Sequence, residues 1–289
     1  MKKQLVANLE KRVDGLVRKE KVKEEKIVRK LESINNRNAK IVKVIAKGKI
    51  SKQEEMNEHD QVYYDVHLKY LIKTCEGMYI EEEIEQRKAS FYKGELLEDV
   101  ELPVFIANNH EEDLLMLEED FEVEERANFV YNRLDAVRYA EKWWNTYNPA
   151  YEKFDVDCTN YISQCLHAGG APMRAYPNRS KGWWYQNKNW SYSWSVANAL
   201  KVYLQGSKTG LKAKEVTDPL QLKLGDVICY DFQGDGRFDH NTIVTAKDAA
   251  GMPLVNAHTY NSRMRYWAYE DSSAYTPNMK YKMFTIIDG

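Results

Sequence analysis

A cysteine serves as a nucleophile only where something favours its thiolate and something carries its proton. This chain of 289 residues supplies candidates for both. The run Asp157-Cys158-Thr159-Asn160-Tyr161-Ile162-Ser163-Gln164-Cys165-Leu166 places Cys158 in the first turn of an amphipathic helix, with Tyr161, Ile162, Cys165 and Leu166 on one face. A helix N-terminus carries unpaired N–H groups and partial positive charge, which favour thiolate, and Asp157 is a residue type that caps such an end. Downstream, Leu224-Gly225-Asp226-Val227-Ile228-Cys229-Tyr230 reads as a turn and a short buried strand. After a Gly-containing loop, Phe238-Asp239-His240-Asn241-Thr242-Ile243-Val244-Thr245 reads as a second strand that His240 opens. A third apolar run, residues 253–259, holds Asn256 and His258 at alternate positions, hence on one face. Cysteine on a helix, histidine on one strand and a polar residue on the next is the layout of a cysteine-type triad.

The region from about Tyr131 to the end resembles the putative amidase domain family, a branch of the papain-like cysteine peptidase superfamily. The opening helix is carried by Tyr131-Asn132-Arg133 and by Ala136 through Trp144; the nucleophile block by Asn148-Pro149-Ala150-Tyr151 and Asp157 through Cys165, closed by Ala168-Gly169-Gly170. Gly182-Trp183-Trp184-Tyr185 and Trp194-Ser195-Val196-Ala197 resemble the aromatic middle. Gly225-Asp226-Val227-Ile228, His240 through Thr245 and His258-Thr259 are similar to the histidine-bearing strands. The resemblance implies an α+β, papain-like domain in which a Cys helix packs on an antiparallel sheet bearing His. It implies Cys158 as nucleophile, His240 as base and acid, and a polar third residue. His258 is preferred for that third place, with Asn256 as a substrate-side or supporting residue and as the alternative. Asn241 stands where a small hydroxyl residue is expected. The reaction implied is hydrolysis of an amide or peptide bond through an acyl-enzyme, with the Cys158 N–H among the oxyanion donors and no metal or organic cofactor. Bacterial wall peptide, that is peptidoglycan peptide, is the substrate that the fold analogy suggests. An acyltransferase built on the same acyl-enzyme and a non-catalytic binding or assembly module are the competing readings.

Other residue patterns exclude other chemistry. Cys165 reads as core, and Cys75 and Cys229 as structural; Cys158, Cys165 and His167 lack the paired spacing of a zinc site. Asp231, Asp235 and Asp239 flank a Gly-containing loop without a calcium-loop ending, and Gly234-x-Gly236 lacks the strand–loop–helix context of phosphate binding. Trp183, Trp184, Trp190 and Trp194 crowd twelve residues. They read as core and rim, with Trp183 and Trp184 also offered as a wall for substrate.

The elements that must position these residues follow from composition. Net charge is −2 but unevenly placed: residues 1–50 hold 16 Lys+Arg against 6 Asp+Glu, and residues 51–130 hold 7 against 23. That asymmetry points to different partners or to a basic arm lying against an acidic domain. Residues 1–50 read as a basic helical hairpin or coiled coil with a face for self-association, its second helix starting over 41–46. Residues 51–126 read as a small acidic α+β or β-rich module and linker, and residues 127–289 as the amidase-like domain. The basic segment is interleaved with Glu and lacks aromatics, so no nucleic-acid binding is expected. No apolar run is long enough for a signal h-region or a membrane span, which gives a cytoplasmic expectation.

Overall fold

Period-two burial builds the first part of the chain. The computed structural model describes residues 1–18, 24–103, 129–259 and 261–288. It is an α+β protein that divides into two units, Met1–Val104 with Tyr260–Ser273, and Phe105–Thr259 with Ala274–Gly289. In the first unit, helix α1 (Lys2–Arg18) and helix α2 (Glu25–Asn36) precede four strands, β1 (Lys40–Met56), β2 (His59–Lys73), β3 (Met78–Tyr92) and β4 (Glu95–Glu101). Strand β2 buries Val62, Tyr64, Val66, Leu68, Tyr70 and Ile72 at every second position and pairs antiparallel with β1 and β3. The other edge of β3 pairs with β4 and with β11 (Ser262–Tyr266), a strand from the segment Tyr260–Ser273.

The expected second helix over 41–46 is instead part of β1. Ile41, Val42, Val44 and Ile45 are β-branched, and the register Ile41↔Ile72 and Val44↔Tyr70 gives Ile41 and Val44 a buried face to share. The expected boundary at residue 50 therefore falls inside a strand, and Tyr260–Ser273 groups with the first unit rather than with the rest of 127–289. The described part of the acidic module, up to residue 103, is strands joined by short turns, with no helix. The acidic run 111–125 and the boundary near 126 lie outside the described residues. Cys75, read as structural, is exposed.

The charge asymmetry has a structural counterpart within the first unit. One face of β3 presents Glu81, Glu83, Glu85 and Arg87, all buried, where a sheet face ordinarily presents apolar residues. The helices answer with cations. Arg12 pairs with Glu85 at 3.0 Å, Lys26 with Glu83 at 3.2 Å and Glu85 at 2.9 Å, and Lys30 with Glu81 and with Asp271 at 2.8 Å. Arg265 also pairs with Asp271, at 2.9 Å. Burial disfavours the charged form of Asp271, but Arg265 and Lys30 outweigh it and hold that carboxyl below the usual range.

In the second unit, helices α3 (Arg133–Trp143), α4 (Cys158–Ala168), α5 (Tyr192–Ser195) and α6 (Ala197–Gly206) accompany a small hairpin, β5 (Tyr185–Gln186) with β6 (Asn189–Trp190). Its main sheet runs β10-β9-β8-β12-β7, all antiparallel: β7 (Lys212–Val216), β8 (Val227–Asp231), β9 (His240–Lys247), β10 (Pro253–Ala257) and β12 (Lys280–Ile287). Ala136, Ala140, Tyr161, Ile162, Cys165 and Leu200 from the helices close on Val227, Cys229, Ile243 and Phe284 from the sheet. Arg133 locks α3 to the sheet by donating to Leu224 O at 2.8 Å and to the buried Asp226 at 2.6 Å. Gly169 ends α4 where a Cβ would overlap the Tyr131 ring, so a glycine is required there. Among the described residues no helix is long and apolar enough to cross a membrane.

Lys30→Met is expected to leave Glu81 without its cation and Asp271 with Arg265 alone, costing roughly 3–5 kcal/mol as for other broken buried pairs. Because the folded-state pKa of Asp271 is depressed, its contribution is present above the ordinary carboxylate pKa of about 4 and is lost as pH falls toward the folded value. Denaturant melts of both proteins at pH 7 and pH 3 check this: the difference should be large at pH 7 and smaller at pH 3.

Candidate active site

Helix α4 begins at Cys158, and one hydroxyl fixes where it begins. Thr259 Oγ1 accepts the N–H of Asp157 and the N–H of Cys158, both at 3.0 Å. These are donors that a helix start leaves without intrahelical partners. Thr259 has φ 74°, a left-handed conformation that a β-branched residue adopts only under strain. Its hydroxyl also hydrogen-bonds the Cys158 sulfur. Two further groups meet that sulfur: Thr159 Oγ1 at 3.7 Å and the backbone N–H of Asn241. Asn241 Nδ2 donates to Thr159 Oγ1 at 3.1 Å, tying β9 to the first turn of α4. The longer amide at a position where a small hydroxyl was expected thus reaches the residue beside the nucleophile.

Asp157 does not cap the helix with its side chain. Oδ1 accepts from Phe154 N–H at 3.1 Å and Asn160 Nδ2 at 2.8 Å, and Oδ2 lies 2.7 Å from His258 Nδ1. His258 Nε2 lies 2.7 Å from Trp143 O, and the ring stacks on Tyr161 at 4.0 Å. A carbonyl only accepts, so Nε2 carries a hydrogen, and a further proton lies between Nδ1 and the Asp157 carboxylate. Both nitrogens of His258 are therefore committed to holding the end of α3 and the start of α4. This corrects the expectation that His258 orients His240. Asn256, the alternative, is fully buried on β10; its Oδ1 accepts from Thr245 Oγ1 at 2.8 Å and its Nδ2 donates to Glu141 at 2.8 Å. Neither residue lines the cavity described below.

His240 opens β9 and is buried. It directly precedes Asn241, the residue whose N–H meets the sulfur. Its ring packs near Tyr230 at 5.8 Å and Phe232 at 6.1 Å. Cys158 itself is 1% exposed and lines a cavity of about 320 Å³. Phe154, Trp190, Arg179, Phe238 and Asp239 contribute to its walls. The expected substrate contact by Trp183 and Trp184 is corrected: both are core. Trp183 Nε1 donates to Ser163 Oγ at 3.0 Å and Trp184 Nε1 to Asn178 O at 3.0 Å. Trp190 forms the aromatic wall instead, edge-on to Phe154 at 4.8 Å.

Burial pushes the Cys158 thiol above its ordinary value, and the hydrogen bonds from Thr159, Asn241 and Thr259 only partly oppose it. Burial therefore works against the expected resting thiolate. The Cys158 N–H, the expected oxyanion donor, is given to Thr259 Oγ1. Among the described residues no group of three or more His, Cys, Asp or Glu could hold a metal.

Thr259→Val keeps the shape and the strained backbone but removes the acceptor of two N–H groups. Stability should fall by about 1–3 kcal/mol, the cost of orphaned buried donors, and Thr259→Ser should restore most of it. Thermal melts of the three proteins measure this.

The family model described as putative amidase domain matches residues 130–284. The chain is 51% identical over 266 residues to the uncharacterized protein YhbB of Bacillus subtilis (strain 168), covering 90% of this chain and 85% of that protein. It is 36% identical over 141 residues to the uncharacterized protein YjcM of the same organism, covering 45% of this chain and 31% of that protein. No solved structure matches. More than half of the chain falls under the family model, including Cys158, His240, Thr259 and the cavity walls, and the chain belongs to the putative amidase domain family.

Proposed function

We propose that this protein hydrolyses an amide or peptide bond through Cys158, with His240 as general base and acid. The observation that carries the reading is Cys158 itself: the first residue of a helix, at a cavity, with three hydrogen-bonding groups around its sulfur. A cysteine that merely fills core needs none of these, and Cys165, seven residues on, lies in the apolar core. The family match supports amide hydrolysis as the reaction class.

The resting sulfur is a thiol, so the proton leaves as the sulfur attacks. His240 takes it, the S–C bond forms, and the carbonyl oxygen becomes an oxyanion. The Asn241 N–H, already facing the sulfur, is the backbone donor assigned to that oxyanion. His240 then protonates the leaving nitrogen, the C–N bond breaks, and water hydrolyses the thioester. A papain-like arrangement is consistent with the helix-and-sheet order, and wall peptide remains the substrate class that the analogy suggests.

Cys158→Ala should abolish turnover of a peptide-amide library, read by mass spectrometry, while circular dichroism stays native; turnover by the folded variant would end the assignment. His240→Ala should lower turnover by roughly 10²–10⁴-fold, the usual contribution of a general base.

The protonation state gives a separate expectation. Alkylation of Cys158 by iodoacetamide should rise only at pH above about 8.5, the value of an ordinary thiol, and His240→Ala should leave that profile nearly in place. Fast alkylation below pH 7 that His240→Ala removes would mean a resting ion pair instead.

A further inference from the structure

The cavity at Cys158 contains a carboxylate that the mechanism does not use. Asp239 lines it, one residue before His240. Among the described residues its carboxylate accepts a single hydrogen bond, from Phe232 N–H at 3.3 Å, and takes part in no ion pair. Its acidic neighbours are otherwise employed. Asp231 accepts the N–H groups of Gly234 at 2.7 Å, Asp235 at 3.3 Å and Gly236 at 2.8 Å, and Asp235 accepts that of Arg237 at 2.8 Å. Those bonds hold the loop that leads into β9 and leave Asp239 with spare acceptor capacity beside the nucleophile. Across the cavity, Arg179 lies over Trp190 at 5.5 Å and over Tyr192 at 5.0 Å and donates from Nε to Trp190 O at 3.1 Å, so it is fastened to the wall.

We propose that Asp239 is a specificity-determining residue that ion-pairs a primary ammonium group close to the scissile carbonyl, so that the preferred substrates present a free amino-terminal residue at the bond to be cut. This deepens the hydrolase reading and rests on it. A half-buried carboxylate with acidic neighbours creates a local negative potential that a neutral donor does not satisfy and a cation does. Burial pushes Asp239 up to about 6; the Phe232 N–H and Arg237 oppose the shift, and Asp231 and Asp235 reinforce it. Arg237, Arg179 and Asp155 are the other charged groups on the cavity wall, and His240 follows in the chain. The carboxylate is charged above about pH 6, so the preference for ammonium is present there and fades as pH falls through that value.

The test compares three alanyl chloromethyl ketones as alkylators of Cys158 in the full chain: with a free amine, with an N-acetyl group and with an N-succinyl group. Peptide mass spectrometry identifies the labelled residue. The free-amine reagent should label Cys158 at least about tenfold faster than the acetylated one at pH 7.5, with the succinylated one slowest. Asp239→Asn should bring the free-amine to N-acetyl ratio close to one, and the native ratio should fall between pH 7 and pH 5. A ratio near one in the native protein, or fastest labelling by the succinylated reagent, overturns the Asp239 assignment while the hydrolase reading stands. Absence of Cys158 labelling by all three reagents removes the hydrolase reading and this inference with it.

Discussion

The start of α4 depends on one side-chain oxygen. Thr259 Oγ1 receives two N–H groups that the helix cannot satisfy itself, and in doing so sets the position of the Cys158 backbone against the end of β10. Every other contact of the sulfur presupposes that placement. Asn241 reaches the neighbouring Thr159, and the Asp157–His258 pair clamps the residue before the nucleophile to the turn residue before Thr259. The strained backbone at Thr259 is consistent with this demand: an extended residue there would turn the hydroxyl elsewhere. The cost is local, and the hydrogen bonds around it hold it in place.

The same constraint redistributes chemistry among the histidines. Two histidines on adjacent strand segments suggest one base and one orienting partner. Position alone cannot distinguish an orienting histidine from a structural one, because either can sit beside the nucleophile helix. The distinction lies in what the second ring nitrogen meets, and for His258 it meets the carbonyl of Trp143, far away in sequence. That partner carries no sequence signal. The Trp pair at 183 and 184 illustrates the same limit. Composition marks an aromatic cluster, but which indole faces solvent and which faces Ser163 or Asn178 is decided by packing.

Local pattern was legible where burial has a simple period. The helix from Cys158, the strand after Gly225, the strand opened by His240 and the long alternating run of β2 all follow from spacing. It failed over 41–46, where four β-branched residues sit among lysines and the pairing partner, β2, decides the outcome. The charge asymmetry was legible as a fact, and one of its two explanations describes the first unit: basic helices lie against the acidic face of β3. What no local reading supplies is that Arg265 and Asp271, about 230 residues from the helices, join that network. They arrive through Tyr260–Ser273, a segment that directly follows Thr259.

A raised thiol pKa and a buried nucleophile belong together. Burying Cys158 to 1% exposure removes much of the solvation that a thiolate needs. Three hydrogen-bond contacts partly replace that solvation, and burial still wins. Such a site gains most when charge on sulfur is transient. In the proposed reaction the thiol loses its proton only as the S–C bond forms, so negative charge would pass directly to the carbonyl oxygen. A preformed thiolate would need a cation held beside it at rest, whereas a thiol needs only a base within reach when the substrate arrives. Under the proposed reaction the burial of the sulfur favours general-base attack over a standing ion pair, and the cavity wall, with Trp190, Arg179 and Asp239, would be the part of the protein that selects which amides reach Cys158.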